Sequence, residues 1–166
     1  MTLALVLVDL MPRILALPLA PHAGDEVLAR GRQLATAFRR ERLPVVLVHT
    51  VRPDVARQPP GSGIADDLAA PADIVVVKRT IGAFYDTALH SRLQQRDATT
   101  LVLAGLVTTL GVESTARAAA DHGYELEFAA DAMSDFDADL HQFAVTRTLP
   151  HFGKVTTAGD YLSTPP

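Results

Sequence analysis

Short, wholly apolar runs recur along this chain at intervals that a helix can bridge, and that alternation leaves few folds open. Residues 3–8 (LALVLV), 45–48 (VVLV), 74–77 (IVVV) and 101–104 (LVLA) carry no polar group and are rich in Leu and Val. Runs of that length without polar alternation suit strands covered on both faces, as in a parallel sheet. The spacing predicts strands at 3–8, 45–50, 73–78, 99–104, 126–130 and 153–157. Between them the pattern changes period. From 24 to 41, Val27, Leu28, Leu34, Ala35 and Phe38 fall on one helical face, while Arg30, Arg32, Arg39 and Arg40 point outward as a solvated face. A short helix is predicted at 64–69, another after a Thr87 cap with Leu89 and Leu93 inward, and a longer one from Thr109 to His122 with Gly123 as its stop. A last helix follows Ser134-x-x-Asp137, read as a capping box, with Phe136, Leu140 and Phe143 on one face. The order predicts a three-layer α/β/α domain, Rossmann-like, with a six-stranded, mostly parallel sheet and right-handed crossovers over residues 1–166.

Composition narrows the function classes. A chain of 166 residues suits one domain with a sizeable core, and a net charge of -4 offers no basic footprint for nucleic acid. The absence of cysteine rules out disulfides, thiolate metal sites and a cysteine nucleophile. The first apolar run lacks a charged leader and falls far short of the roughly 20 residues that span a bilayer, so a cytoplasmic protein without membrane attachment is expected.

Parallel strands end on one edge, where open α/β sheets bind their ligands. Asp9 follows the first strand, and Lys78 closes IVVV on the third. The fourth strand breaks at Ala104-Gly105 before a helix. A cation behind four apolar residues calls for a carboxylate partner, and Asp9 is the candidate; the alternatives are that Lys78 snorkels out and that Asp9 merely caps a turn. His49 and Arg52 belong to the same edge, His49 in a structural role. Residues 10–23, with three prolines, read as an ordered loop, and 53–63 as a surface excursion or lid. The Gly61-Ser62-Gly63 triplet follows no strand and lacks the Lys-Ser/Thr ending of a phosphate loop. Phe84 and Tyr85 either line a pocket or pack under the sheet edge. Four acids between 131 and 139 lack the glycine and distal glutamate of a calcium loop and read as helix-start charges.

Several of these segments carry a resemblance that covers essentially the whole chain. Asp9 after the first strand, Val77-Lys78-Arg79 with Gly82-Ala83-Phe84, and GLVTTLGVESTARAA followed by GYELEFAADAMS are similar to the isochorismatase-like hydrolase superfamily. That group includes nicotinamidases, carbamoylases and isochorismatases. The resemblance implies an Asp-Lys-Cys triad, in which Asp9 and Lys78 match the first two positions and Gly111 stands where the cysteine would be. It also implies a non-proline cis peptide at Leu106-Val107, beside backbone N–H groups aimed at a developing oxyanion, and a homo-oligomer. Two departures stand out. Met11 replaces a glutamine common in relatives, and LVHTVRPDV has no counterpart of the Asp/His-rich zinc segment of nicotinamidases, so neither metal nor cofactor is expected.

Glycine at 111 changes the chemistry that the resemblance allows. Amide hydrolysis through this fold uses a thiolate, and a threonine substitute (Thr108 or Thr109) would need a base within about 3 Å. Isochorismatases instead cleave a vinyl ether, which requires a proton on the enol carbon and then water. The resemblance therefore implies Asp9 as general acid, Lys78 as its orienting partner and Gly111 as room for substrate. An ammonium favours the charged carboxyl and burial the neutral one, so the two influences compete. A small-molecule carboxylate substrate would meet Arg79, Arg52 or Arg13, with Phe84, Leu106, Val107 and Thr108 along its pocket. Two alternatives stay open: a hydrolase of another small molecule, and a non-catalytic binding or assembly relative.

Overall fold

The computed structural model describes residues 2–162. Six strands form one sheet: β1 (Leu3–Val8), β2 (Val45–Thr50), β3 (Ile74–Lys78), β4 (Thr100–Leu106), β5 (Glu125–Ser134) and β6 (Lys154–Thr156). Their spatial order is β3-β2-β1-β4-β5-β6 and every pairing is parallel. The sheet is thus wholly parallel where a mostly parallel one is predicted. The chain winds from β1 toward β3 on one side and from β4 toward β6 on the other. The switch point lies between β1 and β4, where a crevice opens at the carboxyl ends.

Alternating side chains supply the two cores. Val6, Val8, Val46, Val48, Leu101 and Leu103 face one layer, and Leu5, Leu7, Val45, Leu47 and Val102 face the other. Among the described residues six α-helices cover them: α1 (Pro12–Leu15), α2 (Gly24–Arg40), α3 (Leu89–Gln94), α4 (Glu113–Asp121), α5 (Ala138–Phe143) and α6 (Gly159–Leu162). α2 lays Val27, Leu34, Ala35 and Phe38 on the second face. α3 contributes Leu89 and Leu93, and α4 contributes Ala116 and Ala119, to the first. Among the described residues no helix is long and apolar enough to cross a membrane.

Several local readings change for identifiable reasons. Pro12 starts the one-turn helix α1 inside the segment predicted as loop. Residues 64–69 form turns rather than a helix: Asp67 is left-handed at φ 59°, which interrupts the helical path while Ala65 and Leu68 still reach the core. A π-helical turn, Thr108–Val112, precedes α4. β5 runs past the predicted end at 130 because the register of β4 shifts between Leu103 and Gly105, after which Gly105 pairs with Met133 and Leu106 with Ser134. Gly105, at φ 110°, permits this close passage, since a Cβ there would stand 2.1 Å from the Val8 carbonyl oxygen. Ser134 is consequently a buried strand residue, and Asp137 caps α5 by accepting from the N–H groups of Asp139 and Leu140. Phe136, Leu140 and Phe143 are all exposed: Phe136 precedes α5, and Leu140 and Phe143 lie on its solvent side.

Three of the four α2 arginines bind other segments, while Arg40 stays on the exposed face with its neighbour Glu41. Arg39 grips Asp73 with Nε 3.0 Å from Oδ1 and also donates to the Leu68 carbonyl. Arg32 donates to the Asp66 carbonyl, and Arg30 to that of Asp131. The Asp73 side chain is 2% exposed and also accepts from the Ala70 N–H. Replacing Asp73 with alanine strands a guanidinium and a backbone donor together. Urea denaturation of Asp73→Ala should show a loss of about 2–4 kcal/mol relative to wild type.

Candidate active site

Asp9 follows the last residue of β1, and continued strand geometry would point its side chain away from the Val8 face. Its backbone turns left-handed instead, at φ 52°. Non-glycine residues hold that conformation only where their surroundings enforce it. Here the carboxylate oxygens are the enforcing contacts. Oδ2 lies 2.9 Å from Lys78 Nζ, and Oδ1 accepts the Thr50 hydroxyl at 2.9 Å. Thr50 and Lys78 are register partners at the ends of β2 and β3. The sheet itself therefore presents them side by side.

The Lys78 side chain is 2% exposed and that of Asp9 13%. Besides Asp9, Lys78 Nζ donates to the Ile81 carbonyl at 2.8 Å and to the Thr80 carbonyl at 3.3 Å. Two carbonyl oxygens and a carboxylate oxygen thus surround the ammonium. A cation this buried survives because it is paired and hydrogen-bonded.

Gly111 lies on the π-helical turn opposite Asp9. A Cβ there would stand 3.0 Å from the Leu106 carbonyl oxygen, 3.1 Å from Val8 Cγ1 and 3.3 Å from Asp9 Oδ2. Any side chain at 111 would press against the carboxylate, and glycine leaves that flank clear. Thr115, fully buried, fixes the turn to the β3–α3 loop: its hydroxyl donates to the Gly111 carbonyl at 2.6 Å and accepts the Ala83 N–H at 3.1 Å. The Leu106–Val107 peptide is cis, at the position implied by the resemblance.

These groups open onto a cavity of about 420 Å³. Its lining combines polar and cationic groups, Asp9, Thr50, Lys78, Arg52 and Arg79, with apolar ones, Ile14, Ile81, Val107, Leu110 and Phe136. Among the predicted residues, Asp9, Lys78, Gly111, Arg52, Arg79 and Val107 line it together. The others do not. Phe84 packs in the core with its ring against His122 and Tyr124. Leu106 is a buried strand residue whose carbonyl approaches Gly111, and Thr108, the first residue of the turn, is fully buried. Arg13 and His49 lie outside the lining, His49 Nδ1 meeting the Ser62 carbonyl at 3.2 Å. Met11 is buried, with Sδ 3.5 Å from the Thr50 N–H. Thr50 escaped the sequence reading, although a hydroxyl two residues after Val48 on β2 is the kind of signal that could have found it. Phe136, read as a helix-face residue, and Leu110, which the sequence reading did not single out, belong to the apolar lining.

A polar layer supports the turn from beneath. Asp135 is completely buried; its Oδ2 accepts both the N–H and the hydroxyl of Thr109, and its Oδ1 accepts the Phe136 N–H. It also exchanges backbone hydrogen bonds with Ala20. Asp131 pairs with Arg30 and accepts from the Ala158 N–H. Only Asp137 and Asp139 of the four acids thus belong to a helix start, and among the described residues no group of three acids, histidines or cysteines could hold a metal. Thr108 Oγ1 donates to the Ser134 carbonyl and meets His141 Nδ1 at 2.8 Å.

Burial holds His141 below the ordinary imidazole range, with the charge of His22 acting in the same direction and that of Asp135 opposing. The unfolded chain therefore takes up a proton at about pH 6.5 that the folded chain still refuses. Stability contributed by neutral His141 is fully present above that pH and declines as the pH falls toward the lowered folded value. Denaturation midpoints measured from pH 7.5 down to 5 should fall for wild type and fall less for His141→Gln.

The sequence matches the Isochorismatase domain family over residues 3–160. It is 34% identical to the uncharacterized isochorismatase family protein YecD of Escherichia coli O157:H7, over 98% of this chain and 95% of that one. Among solved structures it superposes on an isochorismatase family protein of Burkholderia thailandensis with a TM-score of 0.89 and 40% identity, covering 98% of this chain and 96% of the other. N-carbamoylsarcosine amidase of Thermoplasma acidophilum superposes with a TM-score of 0.82 and 27% identity, covering 95% and 97%. A parallel sheet with its switch point between β1 and β4, an Asp-Lys pair at that crevice and a match along nearly the whole chain agree: the protein belongs to the isochorismatase family of hydrolases.

Proposed function

We propose that the protein hydrolyses a small carboxylate-bearing enol ether of the isochorismate type, releasing pyruvate, with Asp9 as the proton donor. The observation that carries this reading is the pairing of Asp9 with Gly111: a carboxyl faces the cavity, and the position opposite offers no nucleophile. Enol-ether cleavage fits such a site. A proton passes from Asp9 to the terminal enol carbon, and the electron pair of the C=C bond forms the new C–H bond. The resulting oxocarbenium ion accepts water, which returns a proton to Asp9. The hemiketal then collapses to pyruvate and the alcohol. One carboxyl serves both proton transfers, and no covalent enzyme intermediate is needed.

The lining supplies the remaining recognition. Arg52 and Arg79 offer guanidinium groups to substrate carboxylates. The apolar lining of Ile14, Leu110 and Phe136 suits a carbocycle. Lys78, ion-paired with Asp9 and bonded to two carbonyls, orients Asp9 and takes no further part.

A second reading draws on the ion pair. A carboxylate held by Lys78 and Thr50 is also a base, and with water as nucleophile it could open a C–N bond. N-carbamoylsarcosine amidase, similar in fold, is named for that type of substrate. In a non-catalytic relative neither chemistry would occur. Pyruvate release from isochorismate by the purified protein, with Asp9→Asn beside it, separates the three. Release that falls by about a hundredfold or more in Asp9→Asn is the expected result. Absence of release by folded wild type, with ammonia liberated from N-carbamoyl amino acids, would replace the first reading by the second.

A further inference from the structure

We propose that Thr50 is the positioning residue that selects Oδ1 as the proton-exchanging oxygen of Asp9, an inference that rests on the proton-donor reading above. The two oxygens of this carboxyl have partners of different kinds. Lys78 is donor-only; its ammonium donates to the carbonyls of Ile81 and Thr80 and is ion-paired with Asp9 Oδ2. The Oδ2 lone pair facing it has no place for a proton. Oδ1 meets a hydroxyl, which donates in one rotor state and accepts in another. Only that partner can follow a carboxyl through both protonation states without leaving a donor facing a donor.

Placement strengthens the assignment. Thr50 is the last residue of β2, in register with Lys78, and it lines the cavity. Its β-branched side chain has restricted χ1 freedom in a strand, which keeps the hydroxyl beside Oδ1. The Asp9 backbone is left-handed and its N–H is bonded to the Val48 carbonyl at 2.9 Å, while the carboxyl plane is held by the Thr50 hydrogen bond and the Lys78 ion pair. The charged groups sharing this cavity with Asp9 are Lys78, Arg52 and Arg79. None of these touches Oδ1 within hydrogen-bond distance, and Thr50 is the side chain that does.

The test follows the Asp9 carboxyl carbon by ¹³C NMR titration in full-length wild type, Thr50→Val and Thr50→Ser, with Thr50→Ala as a second deletion of the hydroxyl. Removing a donor to the charged form should move the Asp9 midpoint upward by roughly half to one pH unit in the Val and Ala variants, and the Ser variant should titrate like wild type. On isochorismate, Thr50→Val should lower kcat about tenfold with KM changed less than about twofold, and Thr50→Ser should restore it. Identical titrations in all four proteins, or a Ser variant that behaves like Val, would overturn the assignment. So would a covalent adduct on Thr50 in quenched turnover, which would make it a nucleophile. The titration needs no substrate. A wild type inactive on isochorismate that still shows the Thr50-dependent shift would remove the substrate assignment and leave the role of Thr50 in place.

Discussion

The ion pair between Asp9 and Lys78 is the interaction on which the rest of this site depends. An ammonium with 2% exposure is tolerable only beside an anion and with its other protons satisfied. The Ile81 and Thr80 carbonyls meet that demand, so the loop after β3 must fold back on its own lysine. That loop is then joined through the Ala83 N–H and Thr115 to the Gly111 turn. One buried charge thus recruits three segments distant in sequence. Removing either partner would leave the other uncompensated in a place water hardly reaches.

A second constraint acts between the central strands. β1 and β4 approach so closely at the Val8 carbonyl that only glycine fits at 105, and the register of β4 shifts there. The shift lets β5 extend to Ser134 and carries Asp135 beneath the start of the following helical turn. Asp135 then satisfies the Thr109 and Phe136 donors, and so holds the backbone at the lining residues Leu110 and Phe136. The position of that part of the lining therefore follows from backbone packing at the sheet's centre as much as from the residues that form it.

Much of the architecture was legible because burial on two faces leaves a simple mark. LALVLV and VVLV have no polar alternation, and the Val27–Phe38 spacing matches one face of α2. The mark fails where burial is one-sided or irregular. Val75 and Val77 look as apolar as Val46 but face outward on the edge strand. Phe136, Leu140 and Phe143 have helical spacing yet stay exposed: Phe136 falls before α5, and Leu140 and Phe143 sit on its solvent side. Ser134 fits a capping pattern and is instead consumed by the extension of β5. Phe84 suggested a pocket residue, but the turn after β3 leads its ring inward against His122 and Tyr124.

What the sequence by itself determined was the alternation of strands and helices, and with it the edge on which Asp9, Lys78 and the glycine-flanked turn must meet. Those follow from local periodicity and from the geometry of parallel strands. Only the tertiary structure decided which polar atoms answer Asp9: the register of β2 on β3 places Thr50 beside Lys78, and a left-handed residue after β1 turns the carboxylate toward both. Hydrogen-bond partners across forty or more positions depend on register and backbone direction. Neither has a residue-by-residue signature, because both are set by how the strands pack against one another.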